Sequence, residues 1–294
     1  MSLRELSFLR LNETPRTDLV PVFAEARSIP RLFHQTYSGG PLPSEMCRNI
    51  DFIRNINQGW TYRFYDERAR QNFIEDHYGA EVLSLYLRLN PEYAAARSDL
   101  FRYLALYRLG GIYLDVKSAA LRPFDSILRP GDGYLLSQWK NREGEDFAGW
   151  GLHPELAGIE GGEFQQWFIV AVPGHPFLRM VIAHVLSNIE RYVPGIHRTG
   201  AYAVFRVTGP IAYSLAIAPL LKHSRHRFVD ATDDLGFSYS IYGRNTRQEH
   251  KRILASHYAE LKTSLTEVGV AKKLFFDLYR AAAGTQKFIV ANLR

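Results

Sequence analysis

Between residues 94 and 125 the chain reads AAARSDLFRYLALYRLGGIYLDVKSAALRPFD, and the period of its apolar positions changes in the middle of that stretch. Leu100, Phe101, Leu104 and Leu106 recur at helical spacing with alanines in the gaps, which predicts a helix running to Leu109. Gly110-Gly111 supplies a left-handed stop. Ile112 to Val116 is then a strand-type run, in which alternation sends Ile112, Leu114 and Val116 to one face and Tyr113, Asp115 and Lys117 to the other. On the helix, Asp99 and Arg102 stand three apart and are therefore neighbours. The pattern predicts a small polar constellation held by two well-packed elements.

The same reading extends outward. A strand is predicted over residues 29–37 with polar groups at its carboxyl end, and Ser44 is predicted to cap a helix striped by Met46, Ile50, Ile53 and Ile56. Residues 60–65 (WTYRFY) alternate as a half-buried strand does, Asp66 opens a helix to Tyr78, and Gly79 separates it from another over residues 80–89. Later strands are expected at 133–139, 166–172 and Phe228-Val229. Helices are expected over 177–192 and from Thr208-Gly209-Pro210 to Leu221, with helical or irregular chain over 249–280. Strand–helix alternation argues for an α/β sheet with ligands at the carboxyl ends of its strands. Residues 140–163 are glycine-rich and too long for an ordinary connection, which marks a functional or disordered loop. The division expected is a lead-in over residues 1–28 and one domain over 29–294 with a helical C-terminal part.

Composition narrows the function classes. The 294 residues are 46% hydrophobic and 22% charged, as in a chain that buries a full core. The net charge of +6 suits an anionic partner, such as a phosphorylated small molecule or an anionic membrane surface. The basic residues are spread rather than blocked, which argues against a nucleic-acid partner. Lys222, His223, Arg225, His226 and Arg227 form a local basic cluster, read as a solvated connection. The terminal stripe Leu274, Phe275, Leu278, Tyr279 and Ala282 is read as core docking. The single cysteine, Cys47, allows neither an intrachain disulfide nor a thiolate metal cluster. The first dozen residues have no secretory apolar core and no apolar run is read as spanning a bilayer, so the expectation is a cytoplasmic or cytoplasm-facing protein. The metalloprotease, Walker, dinucleotide and nucleophile-elbow motifs do not occur.

Asp115-Val116-Lys117 is the first candidate for chemistry. A carboxylate at a buried strand end can bind Mg²⁺ or Mn²⁺ and through it a diphosphate, and a second carboxylate two residues on would strengthen the site. Here that second place holds Lys117, whose ammonium could meet phosphate directly. Taken singly, each charge is read first as structural: a salt-bridged strand end for Asp115 and Lys117, a surface pair for Asp99 and Arg102. His34 and His257 are the histidines expected to line a site, with Lys262 near the latter.

Ordered segments then resemble a known family. The run A-x-R-S-D-L-x-R-Y-x-x-L-Y-x-x-G-G-I-Y-L-D over residues 95–115 resembles the glycosyltransferases with a DXD sugar-binding motif, family 32, which include Och1-like mannosyltransferases and are distantly similar to clostridial glucosylating toxins. IPRLFHQTY at 29–37, NQGWTYRFYD at 57–66, QWFIVAVPGHPFL at 166–178 and TGP at 208–210 are similar to further segments of that family, in the same order. The resemblance implies a GT-A fold, with a Rossmann-like mixed sheet flanked by helices, and a retaining transfer of a hexose from a UDP- or GDP-linked donor to a saccharide or lipid-linked acceptor. It implies polysaccharide, oligosaccharide or glycolipid synthesis. The spread of the basic residues leads us to expect no nucleic-acid partner, and the net charge and the absence of a signal run lead us to expect a cytoplasmic protein with a peripheral contact at the inner face of a membrane. The resemblance makes Asp99 and Asp115 the catalytic candidates and His34, Gln35, Asp99, Arg102, Tyr113, Asp115 and Lys117 the donor-binding set. It also implies Mn²⁺ or Mg²⁺ at Asp115; Lys117 departs from the motif's second acid and is expected to assist the metal, and His257 is the expected further ligand from the far end of the chain. The alternatives are a non-catalytic nucleotide-sugar-binding protein and a toxin-like transferase acting on protein.

Overall fold

The computed structural model describes residues 10–242 and 260–267. Its main sheet has six strands: β1 (Leu32–Thr36), β2 (Thr61–Tyr65), β3 (Gly111–Leu114), β5 (Tyr134–Leu136), β6 (Phe168–Ala171) and β7 (Arg227–Phe228), in the order β2-β1-β3-β6-β5-β7. β1 runs parallel to both β2 and β3, β6 is antiparallel to β3 and β5, and β7 is parallel to β5, so the sheet is mixed. A two-stranded ribbon pairs β4 (Ala119–Ala120) with β8 (Phe237–Ser238).

The central strands read GIYL and FIVA and are buried throughout, as expected of strands covered on both faces. Alternation divides their side chains between two cores. Ile112, Leu114, Phe168 and Val170 pack with Phe33, Trp60 and Phe124 on one face. Tyr113, Ile169 and Ala171 face a larger core built on helices α2 (Glu67–Leu87), α3 (Ala94–Leu109), α5 (Pro176–Arg191) and α8 (Pro210–Ile217). Helix α1 (Ser44–Asn55) and the short α4 (Phe124–Ile127) lie nearer the first core, and α6 (Pro194–His197) and α7 (Gly200–Val207) lead into α8.

Local chemistry sets the boundaries. The Asp66 side chain accepts the Ala69 N–H at 2.8 Å and caps α2. Gly79, at φ 80°, breaks that helix where two had been expected. Gly110 and Gly111 end α3 at φ 65° and 100°. A Cβ on Gly111 would lie 2.4 Å from the Leu32 carbonyl oxygen, so the close approach of β1 requires glycine there. Residues 260–267 dock back on the α2–α3 connection: Asn90 N–H donates to the Leu265 carbonyl at 2.8 Å, and Leu265 is fully buried.

Several expectations are corrected. Pro43 holds the cap position of α1 and Ser44 is its first residue. Helices α6 and α7 were not anticipated. The strand predicted to Val116 ends at Leu114, and residues 115–118 form a turn in which Ser118 N–H donates to the Asp115 carbonyl at 2.8 Å. Lys117 therefore does not share a strand face with Tyr113. Gly200–Leu220 is long and apolar enough to cross a membrane by length and composition, contrary to the expectation, but 67% of its most apolar window is buried inside the protein and Gly209-Pro210 divides it. Residues 140–163 form a packed loop: Asn141 Nδ2 donates to the carbonyls of Trp150 (2.8 Å) and Gly161 (2.9 Å), and Glu163 accepts from Trp139 Nε1 at 2.6 Å while meeting His153 Nε2 at 2.9 Å. The basic cluster is a surface connection, with Lys222, His223 and Arg225 exposed; Arg227 pairs with Asp132 at 2.6 Å, and Arg225 binds the Ala26 carbonyl and lies 3.6 Å from Glu25. The terminal stripe and most of 249–280 lie outside the described residues.

Candidate active site

Helix α3 crosses the face of β3 that carries Tyr113, and its first turns bring Asp99 and Arg102 against that strand. Its placement is fixed from behind. Glu67, at the start of α2, binds the guanidinium of Arg70, which is fully buried, and that of Arg97 at 2.6 Å. Arg97 also donates to the Leu89 carbonyl at 2.7 and 2.9 Å, and Arg70 reaches Ser98 Oγ at 3.2 Å. These charge-assisted bonds clamp the Arg97-Ser98-Asp99 turn, with the two guanidinium groups holding the Glu67 carboxyl below the usual range despite burial.

The constellation itself is a chain of contacts. Arg102 Nη2 lies 2.9 Å from Asp99 Oδ1 and 3.3 Å from Asp115 Oδ1, and Arg102 Nη1 donates to the Gln166 carbonyl at 2.6 Å. The guanidinium also sits over the Tyr113 ring, 4.8 Å from its centre, and the Tyr113 hydroxyl donates to Asp115 Oδ1 at 3.1 Å. Thr208 Oγ1 donates to the second oxygen of Asp99 at 2.9 Å. The Tyr103 hydroxyl faces Gln166 Oε1 and the Thr208 carbonyl, which ties α3 to both segments.

Exposure separates the two carboxylates. The side chains of Asp99 and Arg102 are 4% and 5% exposed, whereas that of Asp115 is 21% exposed. Asp115 is thus the carboxylate open to solvent, and Asp99 lies beneath it, bound to Arg102. Burial raises the Asp99 carboxyl to about 6, against the opposing pull of Arg102 and Thr208. The same burial keeps the Tyr113 hydroxyl protonated as a donor.

Lys117 enters from the turn after β3. Its Nζ donates to the Tyr239 hydroxyl at 2.9 Å and stands 4.1 Å from the centre of that ring. Burial alone would lower its pKa, but Tyr239 and Asp115 together raise it, so the side chain is an ammonium ion at neutral pH. Tyr239 belongs to an aromatic group with Trp139, Trp150 and Trp167, their ring centres 5.2, 6.1 and 5.7 Å from its own.

Of the residues expected in the site, the structure joins Asp99, Arg102, Tyr113 and Asp115, and sets Lys117 beside them. His34 is a correction. It is fully buried, with Nε2 3.0 Å from the Gly110 carbonyl and Nδ1 3.1 Å from the Tyr65 hydroxyl. A carbonyl only accepts, so Nε2 carries the proton and Nδ1 accepts from Tyr65; both nitrogens are engaged in the fold. Burial lowers its pKa to about 4. Gln35 is also fully buried and accepts from the Tyr62 hydroxyl at 3.2 Å, while its Nε2 has no partner among the described residues. His257 lies outside the described residues. Among the described residues, no three His, Cys, Asp or Glu side chains are grouped so as to hold a metal ion. Gln166 and Thr208 join the site without having been expected there, and the signal for them in the sequence is their place in the family-like segments at 166–178 and 208–210. Tyr239 carried none, because the β4–β8 ribbon brings it in.

Residues 43–131 match the family model described as the glycosyltransferase sugar-binding region containing the DXD motif. Inositol phosphoceramide mannosyltransferase 1 of Schizosaccharomyces pombe is 25% identical over 195 residues, 65% of this chain and 51% of its own. The initiation-specific alpha-1,6-mannosyltransferase of Candida albicans is 25% identical over 191 residues, 59% of this chain and 47% of its own. The chain spans about half the length of these curated relatives. Among solved structures, the UDP-bound glycosyltransferase domain of the YGT toxin superposes with a TM-score of 0.50 at 9% identity, covering 74% of this chain and 82% of the other. That likeness bears out the α/β, GT-A architecture expected from the sequence.

Proposed function

Because this chain carries the sugar-binding region of the DXD-motif glycosyltransferases on a GT-A fold, we propose that it is a retaining glycosyltransferase that moves a hexose from a UDP- or GDP-linked donor to a saccharide or glycolipid acceptor. The observation that carries the reading is the partly exposed Asp115 at the end of β3, bound to Arg102, which Asp99 in turn fixes. The mannosyl relatives and the UDP-bound neighbour support a hexose and a nucleoside diphosphate, and the ceramide-directed relative supports a glycolipid acceptor. The net charge of +6 suits a peripheral site at the cytoplasmic face of a membrane.

In the reaction the bond between the anomeric carbon and the diphosphate oxygen breaks, and its electron pair leaves with the diphosphate. The acceptor hydroxyl oxygen bonds that carbon on the same face, and its proton passes to the departing phosphate oxygen. Cationic side chains that meet the charge developing on the leaving group lower this barrier. Asp115 and the Arg102–Asp99 pair fix the sugar end, which reduces the search for an aligned geometry.

Release of UDP or GDP from a panel of sugar nucleotides, and transfer to a glycolipid, test the reading. The anomeric coupling constant of the product tests retention. Asp115→Ala should abolish transfer, and full activity in that variant sinks the assignment. The lysine in the motif favours one second reading, a nucleotide-sugar-binding protein without turnover, which predicts tight donor binding and no release of product from any donor.

A further inference from the structure

We propose that the donor diphosphate is held here without a divalent metal, by the ammonium group of Lys117 standing where the motif's second acid would be. The inference rests on the donor reading above and concerns how that site meets phosphate charge.

The described residues around Asp115 do not fit a metal. A hard divalent cation takes several oxygen ligands. The tripeptide Asp115-Val116-Lys117 offers one carboxylate, and its Oδ1 already receives the Tyr113 hydroxyl and the Arg102 guanidinium. Two carboxylates, Asp99 and Asp115, are balanced by two cations, Arg102 and Lys117. An acid at position 117 would make the same cluster two charges more negative and attractive to a metal. With lysine there, the cluster has no net negative charge to draw a divalent cation, and its ammonium attracts a diphosphate.

The lysine is also built in rather than loosely placed. Ser118 N–H closes the turn on the Asp115 carbonyl at 2.8 Å, Ser118 Oγ donates to the Tyr239 carbonyl at 2.9 Å, and Ile241 N–H donates to the Lys117 carbonyl at 2.9 Å. The ammonium is steered by one hydrogen bond to the Tyr239 hydroxyl and makes no ion pair among the described residues. An ammonium has three N–H donors, which leaves capacity for phosphate oxygens. The aromatic surroundings of Tyr239 displace water and strengthen the charge's effect on an anion.

Calorimetric titration of the full chain with UDP and with GDP, in EDTA and then with added Mn²⁺, tests this. The expected result is binding in EDTA that Mn²⁺ changes by no more than about twofold. Lys117→Met should weaken metal-free binding about tenfold or more, as loss of a charge-assisted contact does, and Lys117→Arg should retain most of it. Thermal melts of both variants verify that they fold. Binding that appears only with Mn²⁺ overturns the inference and leaves the glycosyltransferase reading standing, as does Lys117→Met binding like wild type in EDTA. Absence of binding to either nucleotide in both conditions overturns the inference and the reading together.

Discussion

Thr208 Oγ1 donates a 2.9 Å hydrogen bond to Asp99 Oδ2 across a separation of 109 positions in the chain. With Arg102 on the other oxygen, it leaves the buried carboxylate a single orientation. Thr208→Val keeps the shape and removes the donor. Hydrogen bonds to charged groups are worth about 1.5–3 kcal/mol, so chemical denaturation should show a loss of that order. Transfer and donor affinity should fall together, because Asp99 holds Arg102 at the sugar end of the site.

Asp115→Asn and Asp99→Asn should both abolish transfer, but they should differ in stability. Asp115 is partly exposed, so its loss should leave the melting temperature nearly unchanged. Asp99 is buried, and an Asn there leaves the Thr208 hydroxyl and the Arg102 guanidinium sharing an amide in place of a carboxylate, so its melting temperature should fall more than that of the Asp115 variant. Equal melting temperatures for the two variants would contradict the buried positioning role.

Burial lifts the Asp99 carboxyl to about 6, so it loses its charge, and with it the pairing to Arg102, as pH falls through that value. Donor affinity should therefore decline on the acid side of about pH 6. Stability runs the other way for this group: its folded pKa is above the unfolded one, so its contribution is present below about 3.9 and is lost as pH rises through about 6. Nucleotide titrations across pH 5–8 check the first trend, and a profile flat through pH 6 would refute it.

His34 gives an independent acid-side effect on stability. Its pKa is lowered from 6.5 to about 4 by burial, so the folded state refuses a proton that the unfolded chain accepts. Its contribution is intact above 6.5 and declines as pH falls through about 4, by about 3 kcal/mol at 1.36 kcal/mol per unit. His34→Gln should lower stability at neutral pH and flatten the dependence between those values, as urea midpoints would show.

The sequence by itself determined the elements around the site. The apolar period in residues 94–109, the glycine pair and the strand-type run are local signals, and α3, its stop at Gly110 and the start of β3 follow from them. Spacing also made Asp99 and Arg102 neighbours, because three residues is nearly one helical turn. Tertiary structure decided what those groups do. It buried Asp99 and left Asp115 partly open, a difference that depends on Thr208, Gln166 and Tyr113 arriving from separate elements. It turned His34 into a strut, since the Gly110 carbonyl and the Tyr65 hydroxyl are distant in sequence and adjacent only once the sheet forms. It ended β3 one residue before Asp115 and placed Lys117 on a turn against Tyr239, a partner 122 positions away. Local periodicity records which face a side chain starts from. Burial and long-range pairing fix its charge and reach, and they exist only in the folded chain.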